Sequence, residues 1–289
     1  MLTSVIVKVL GAAQDAGVPQ ANCRCEHCRE ARMNPAKRVL VASLALITPQ
    51  SDGWHLVDAT PHLPEQLDLM HESYPNLGLM ESVFLTHAHI GHYTGLMYLG
   101  KEAVSASNIV VWCGQRMGDI LKNHVPWRQL VDLNNIRPVV MHDNQAIRLS
   151  HELSVTPLLV PHRNEFSETY GFIIQGPHKR LLYVPDIDRW EAWDRGLLSV
   201  ANSVDYCLLD ATFFSVDELA ARGRDYATIP HPLVKSTMDL LQSAADNGKH
   251  ISFIHINHTN PLLRADSAAS RELASRGFYV AKQGDEFYL

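Results

Sequence analysis

Thr86-His87-Ala88-His89-Ile90-Gly91-His92 places three imidazoles close together, directly behind the apolar run Val83-Phe84-Leu85. Neutral imidazole is a good ligand for zinc, iron and other borderline transition ions. An extended stretch points alternate side chains the same way. His87 and His89 can therefore face one ion while the following turn brings His92 near. A polar surface segment would not explain why all three sit at the mouth of a strand. The chemistry expected is that of a metalloenzyme.

Other apolar strands also end on ligand-type residues: His162, Asp186, Asp210 and His255. Strand ends are rigid supports for a site assembled from distant segments. Asp58 closes a further strand, where it can either orient a ligand histidine or cap a turn. Cys23, Cys25 and Cys28 form a second constellation, and thiolates favour zinc in closed four-ligand structural sites. His27 lies inside that segment as a local fourth partner. Cys113 and Cys207 lie in apolar strands and read as core.

The elements that must carry these residues are short. Strands are expected at Val5–Leu10, Val41–Thr48, Trp54–Val57 and Met80–Leu85, then at Ile109–Cys113 and within 129–139. Further strands follow at 146–149, 153–160, 170–175, 180–184, 206–209 and 251–254. Residues 49–53 read as a turn-rich link, Gly176-Pro177 as a hairpin turn, and Gly284 as the turn of a closing hairpin. Helices are expected at 64–71, 95–101, 117–124, 232–246 and 265–276, and 23–34 as a compact polar segment. The pattern fits two sheets packed face to face with helices outside.

The 289 residues favour one domain over two, here 1–289, and 16 histidines is a high count. A net charge of -6 from 25 basic and 31 acidic side chains gives no broad nucleic-acid footprint. No apolar run approaches the roughly 20 residues of a membrane helix. Residues 1–10 read as a first strand without a basic leader. Five cysteines, three of them crowded, suit a thiolate metal site in a reducing compartment. The expected location is cytoplasmic, and a homodimer stays open.

These stations, in this order, resemble the metallo-β-lactamase superfamily, whose hallmark is His-x-His-x-Asp-His. The resemblance implies an α+β four-layer αβ/βα sandwich of two mixed β-sheets with outer helices. It further implies that His87, His89 and His162 hold one metal, that His92 and His255 hold a second, and that Asp186 bridges them. Asp186, His92 and His255 then carry the catalytic roles. The blocks 161–165, 182–186 and 253–261, with the Cys-x-Cys-x-x-Cys segment, are similar to the coenzyme PQQ synthesis protein B family. Retention of His87 and His89 also resembles cyclic phosphate phosphodiesterases of phosphonate breakdown, whose structural zinc implies His258 as fourth partner of the cysteines.

One departure stands out. Gly91 occupies the position where both patterns carry Asp, and glycine offers no side-chain ligand. The second metal would then keep His92, His255 and Asp186, with water or substrate completing it. One or two active-site metals are thus expected, zinc foremost, with manganese or iron compatible. A metal there would acidify water enough for attack on a phosphoryl or carbonyl centre near neutral pH.

The expected activity is hydrolysis of a small or cyclic phosphate ester. The alternatives are an iron-dependent oxidation of a tyrosine-containing peptide and a non-catalytic metal-binding protein. The partner is a small anionic substrate. Tyr93, Arg163, Asn164, His231 and Asn257 are candidate substrate contacts, with Thr94, Thr259 and Asn260 at the same mouth. Asn257, Thr259 and Asn260 could equally satisfy loop backbone groups, and His231 could instead cap the following helix.

Overall fold

The computed structural model describes residues 4–48 and 53–289. Strands β1 (Ile6–Gly11), β2 (Ser43–Ile47), β3 (Trp54–Val57), β4 (Ser82–Phe84), β5 (Ile109–Cys113) and β6 (Ile136–Val140) pair in that order into one sheet. The second sheet runs through β7 (Ile147–Arg148), β8 (Ser154–Leu159), β9 (Tyr170–Gln175) and β10 (Arg180–Val184). It continues through β11 (Tyr206–Asp210), β12 (His250–Ile254) and β13 (Tyr279–Val280). Strand β14 (Glu286–Tyr288) returns to the first sheet beside β1.

Both sheets are mixed. Pairing is antiparallel from β14 to β3 and parallel from β3 to β6. In the second sheet it is antiparallel from β7 to β10 and parallel from β10 to β13.

Strand periodicity explains the layers. In β2, Leu44 and Leu46 enter the core between the sheets, while Ala45 and Ile47 face outward. In β11, Leu208 points between the sheets, and Cys207 and Leu209 point out. Both faces are covered, so these strands read as continuous apolar runs. Phe84 and Phe172 join the two sheets edge to face, with ring centroids 5.8 Å apart.

The helices are α1 (Glu26–Met33), α2 (Leu63–Ser73), α3 (Ile90–Tyr93), α4 (Gln115–Asn123), α5 (Trp127–Asp132), α6 (Leu197–Asn202), α7 (Val216–Ala220), α8 (Val234–Asp246) and α9 (Ala268–Ser275). Helices α2, α4 and α5 cover the outer face of the first sheet, and α6, α8 and α9 that of the second. The spacing of Val234, Thr237, Met238, Leu241 and Ala244 gives α8 its buried stripe. The result is the α+β sandwich of the metallo-β-lactamase fold.

Several local expectations are corrected. The segments flanking Gly284 are not a hairpin: β13 extends the second sheet and β14 the first, so this turn joins the two layers. Residues 95–101 do not begin an α-helix. A 3-10 helix spans Thr94–Leu99, and its Gly95 packs too closely on Thr60 O for any Cβ. Within 23–34, α1 forms although its apolar content is low, because Cys28 and Ala31 alone need burial. Helices α5 and α6 were also unanticipated, each being six residues long. Of the link at 49–53, residues 49–52 lie outside the described residues, as do 1–3 of the first strand.

No helix among the described residues is long and apolar enough to cross a membrane.

Candidate metal centre

The parallel register brings several strand carboxyl ends to one edge of the sandwich, the usual location of sites in such sheets. Asp58 follows β3, His87 follows β4 within three residues, and Asp186 follows β10. Asp210 ends β11, and His255 follows β12. Asp58 and His255 both have φ of 63°. Side chains rarely adopt that left-handed backbone, and such strain persists only where surrounding structure enforces it.

Hydrogen bonds sew the two sheets together around this edge. Tyr170 N donates to Thr86 O at 3.0 Å, and Ala88 N donates to Ser167 Oγ at 2.9 Å. Ile256 N donates to Ala12 O at 2.8 Å, and Gln14 N donates to Ile256 O at 3.0 Å.

His87, His89 and His162 form one donor group. His87 Nε2 lies 2.7 Å from His89 Nδ1, and the His162 ring centroid is 5.2 Å from that of His87. Asp186 connects this group to the next: Oδ1 is 3.7 Å from His162 Nε2, and Oδ2 is 3.2 Å from His92 Nε2 and 3.3 Å from His255 Nε2. Helix α3 delivers His92 by turning the chain immediately after His89.

Three of the inward-facing imidazoles have a polar group behind them. Asp58 Oδ2 is 2.8 Å from His92 Nδ1, and Thr86 anchors that carboxylate through its backbone N and its Oγ1. Asp188 Oδ1 stands 3.0 Å from His162 Nδ1. Thr212 Oγ1 lies 3.2 Å from His255 Nδ1.

Electrostatics follow from this packing. Burial, with the neighbouring imidazoles, holds His87 well below its ordinary value, and burial with His162 brings His89 down to about 4. Both are therefore neutral, as ligands must be. Burial would lower His92, yet Asp58 and Asp186 outweigh it and raise it. Burial would raise Asp186, but His255 and His92 keep it ionised, well below the usual carboxylate range.

The donors fit a metal on one further observation. Nε2 of His92 and His255 and Oδ2 of Asp186 are buried without a hydrogen-bond partner. Leaving such groups unsatisfied costs about 1–3 kcal/mol each. A shared cation satisfies them together.

Asp210 and His231 form an adjoining pair. Asp210 Oδ1 accepts from Thr212 N and Oγ1, both at 2.8 Å, and Oδ2 accepts from Ile187 N at 3.3 Å. The same Oδ2 lies 2.7 Å from His231 Nδ1. These bonds commit the Asp210 oxygens and hold His231 by Nδ1. Burial would lower His231, but Asp210 and then Asp186 raise it. Arg189 fixes the backbone of this loop by donating to Ile229 O at 2.7 Å and His231 O at 3.0 Å.

The cysteine cluster, at the start of α1, packs against His258 on the loop that follows His255. Sγ of Cys23, Cys25 and Cys28 are 3.4, 3.5 and 3.6 Å from His258 Nδ1. Zn–S near 2.3 Å and Zn–N near 2.1 Å at a tetrahedral angle give an S···N edge of about 3.6 Å. His27 is not in this group: its Nδ1 is 2.9 Å from the His258 carbonyl. Burial and the adjacent thiols push Cys28 up to about 12, so a full set of thiolates calls for a cation.

The remaining candidates are placed less centrally. The Tyr93 ring packs on Trp127, with centroids 5.0 Å apart. Arg163 pairs with Glu165 at 2.8 Å on the exposed loop after His162, and the Asn164 carbonyl accepts from Arg116 at 2.6 Å. Asn257 binds Gln14 and Thr259, and Asn260 holds the Ala211 carbonyl at 2.8 Å, so both stitch loops. Thr94 Oγ1 bonds to Ile90 O, and Thr259 Oγ1 to Glu218.

Sequence reasoning missed Asp15, which lies 3.3 Å from His92 Nε2 and 3.7 Å from His255 Nε2. It also missed Asp188, and placed Asp210 among the strand-end ligand types without pairing it to His231. Asp15 sits in a glycine-flanked loop, where spacing carries no hint of its distant partners.

A model of the beta-lactamase superfamily domain matches residues 53–256. Coenzyme PQQ synthesis protein B of a Methylobacterium species is 31% identical, aligning over 96% of this chain and 97% of its own. That of Methylococcus capsulatus is 28% identical, over 99% of this chain and all of its own. Zinc-bound PqqB from Methylobacterium extorquens superposes with a TM-score of 0.83 at 25% identity, covering 98% of this chain and 100% of that one. A diphosphatase from the PhnP family shares the fold, with TM-score 0.72, 20% identity, and coverage of 100% and 98%.

Proposed function

The chain belongs to the metallo-β-lactamase superfamily and is closely related to coenzyme PQQ synthesis protein B, and we propose that it is a metal-dependent hydrolase of a small anionic phosphodiester, cyclic esters included. The observation that carries this reading is the position of Asp186 between two histidine groups, one of which presents buried Nε2 atoms of His92 and His255 without hydrogen-bond partners. In it, His87, His89 and His162 would hold one ion and His92 and His255 the other, with Asp186 placed to serve either.

Bound metals would supply Lewis acidity for a phosphoryl group and would acidify water to a nucleophile. Asp58 and Asp188 fix the tautomers of His92 and His162, so each presents Nε2 inward. Asp210 holds His231 by Nδ1, and His231 donates a proton from Nε2 to the leaving oxygen. Cys23, Cys25, Cys28 and His258 take a structural zinc that braces the loop bearing His255. Zinc fits the active site, with manganese or iron as chemically compatible substitutes. Unpaired cysteines suit a reducing, cytoplasmic setting.

Similarity along the whole length to coenzyme PQQ synthesis protein B favours a second reading, an iron-dependent oxidation. Assays on bis-p-nitrophenyl phosphate and cyclic nucleotides separate the two. Hydrolysis that disappears in His162→Ala is expected. Iron-dependent oxygen consumption without hydrolysis overturns the hydrolase reading.

A further inference from the structure

We propose that Asp15, on the loop after β1, supplies the second metal with the carboxylate that position 91 lacks. This inference rests on the two-metal reading above and deepens it.

Gly91 is present for space. It does not appear among the residues with positive φ, so no backbone requirement calls for glycine. A Cβ added there would lie 2.5 Å from both Cα and Oδ1 of Asp15. Real Cβ atoms do not approach backbone that closely. Asp15 therefore fills the volume that a side chain at 91 would need. The two positions are mutually exclusive.

Distances favour a ligand role. Asp15 Oδ1 is 3.3 Å from His92 Nε2 and 3.7 Å from His255 Nε2, and Asp186 Oδ2 is 3.2 and 3.3 Å from the same nitrogens. Four N or O donors about 2.0–2.1 Å from a tetrahedral zinc are separated by about 3.3 Å. The imidazole nitrogens that Asp15 faces are buried and without hydrogen-bond partners. Nor is the loop free to swing away. Gln14 N donates to Ile256 O at 3.0 Å, and Asn257 binds the Gln14 side chain, which ties Asp15 to the segment carrying His255. Asp15 would thus provide, from another segment, the carboxylate that the hallmark motif carries at position 91.

The test is metal content and affinity by chelator competition for wild type, Asp15→Ala, Gly91→Asp and the double variant Asp15→Gly/Gly91→Asp. Wild type should hold two active-site equivalents beside the cysteine-bound one. Asp15→Ala should lose one equivalent, with weakening beyond the roughly 10–100-fold typical of removing a ligand's supporting partner. Gly91→Asp alone should crowd Asp15 and fold poorly. The double variant relieves that crowding and should recover the lost equivalent. Wild-type affinity for both active-site ions in folded Asp15→Ala overturns the role of Asp15 and spares the hydrolase reading. Wild type with no active-site ion under metal-replete conditions overturns both.

Discussion

Asp58 and His92 form a fully buried pair, with Oδ2 2.8 Å from Nδ1. Asp58 accepts from Thr86 as well, so its carboxylate orients the imidazole in one tautomer and turns Nε2 toward Asp186. Asp58→Asn keeps the shape and removes the charge. Affinity for the second metal should fall about 10–100-fold, the usual cost of losing such support. Competition with a graded chelator checks this, and unchanged affinity would reduce Asp58 to a turn residue.

His231 should matter only when the leaving group needs a proton. For a nucleoside or alkyl leaving group, His231→Ala should cost about 10²–10⁴-fold in kcat. For p-nitrophenolate, a stable anion, the loss should stay below about tenfold on the same grounds. Asp210→Asn should show the same selectivity. Equal losses on both substrates would instead assign His231 to holding the metal.

Cys28 is buried, and its Sγ also accepts from Gln20 N at 3.3 Å. Cys28→Ser should release one metal equivalent while the histidine-bound ions stay. Losing a bound metal that stabilises only the folded state should lower Tm by on the order of 5–10 °C. Metal analysis beside calorimetry decides this. Full metal content with an unmoved Tm would contradict a structural role for the cluster.

The legible part of this site lay wherever chemistry coincided with strand pattern. His87, His89 and His92 share one short segment, and the apolar runs before Asp186 and His255 mark strands that must end there. The cysteine spacing was local too, and only its fourth partner came from resemblance. Asp15 was illegible because its partners are 77 and 240 positions away in sequence. Only the closed sandwich brings its loop over α3. Asp188 resembled any loop acid, and Asp210 looked like a strand end. The Gly284 turn misled because a hairpin and a crossing between sheets share the same turn residues.

Anomalous diffraction at the edge of the loaded metal tests the central claim most directly. The account predicts two peaks about 3.5–4 Å apart, both within coordination reach of Asp186. One should touch His87, His89 and His162, and the other His92 and His255. Signal confined to the cysteines, with Asp186 far from any ion in metal-replete crystals, would contradict it.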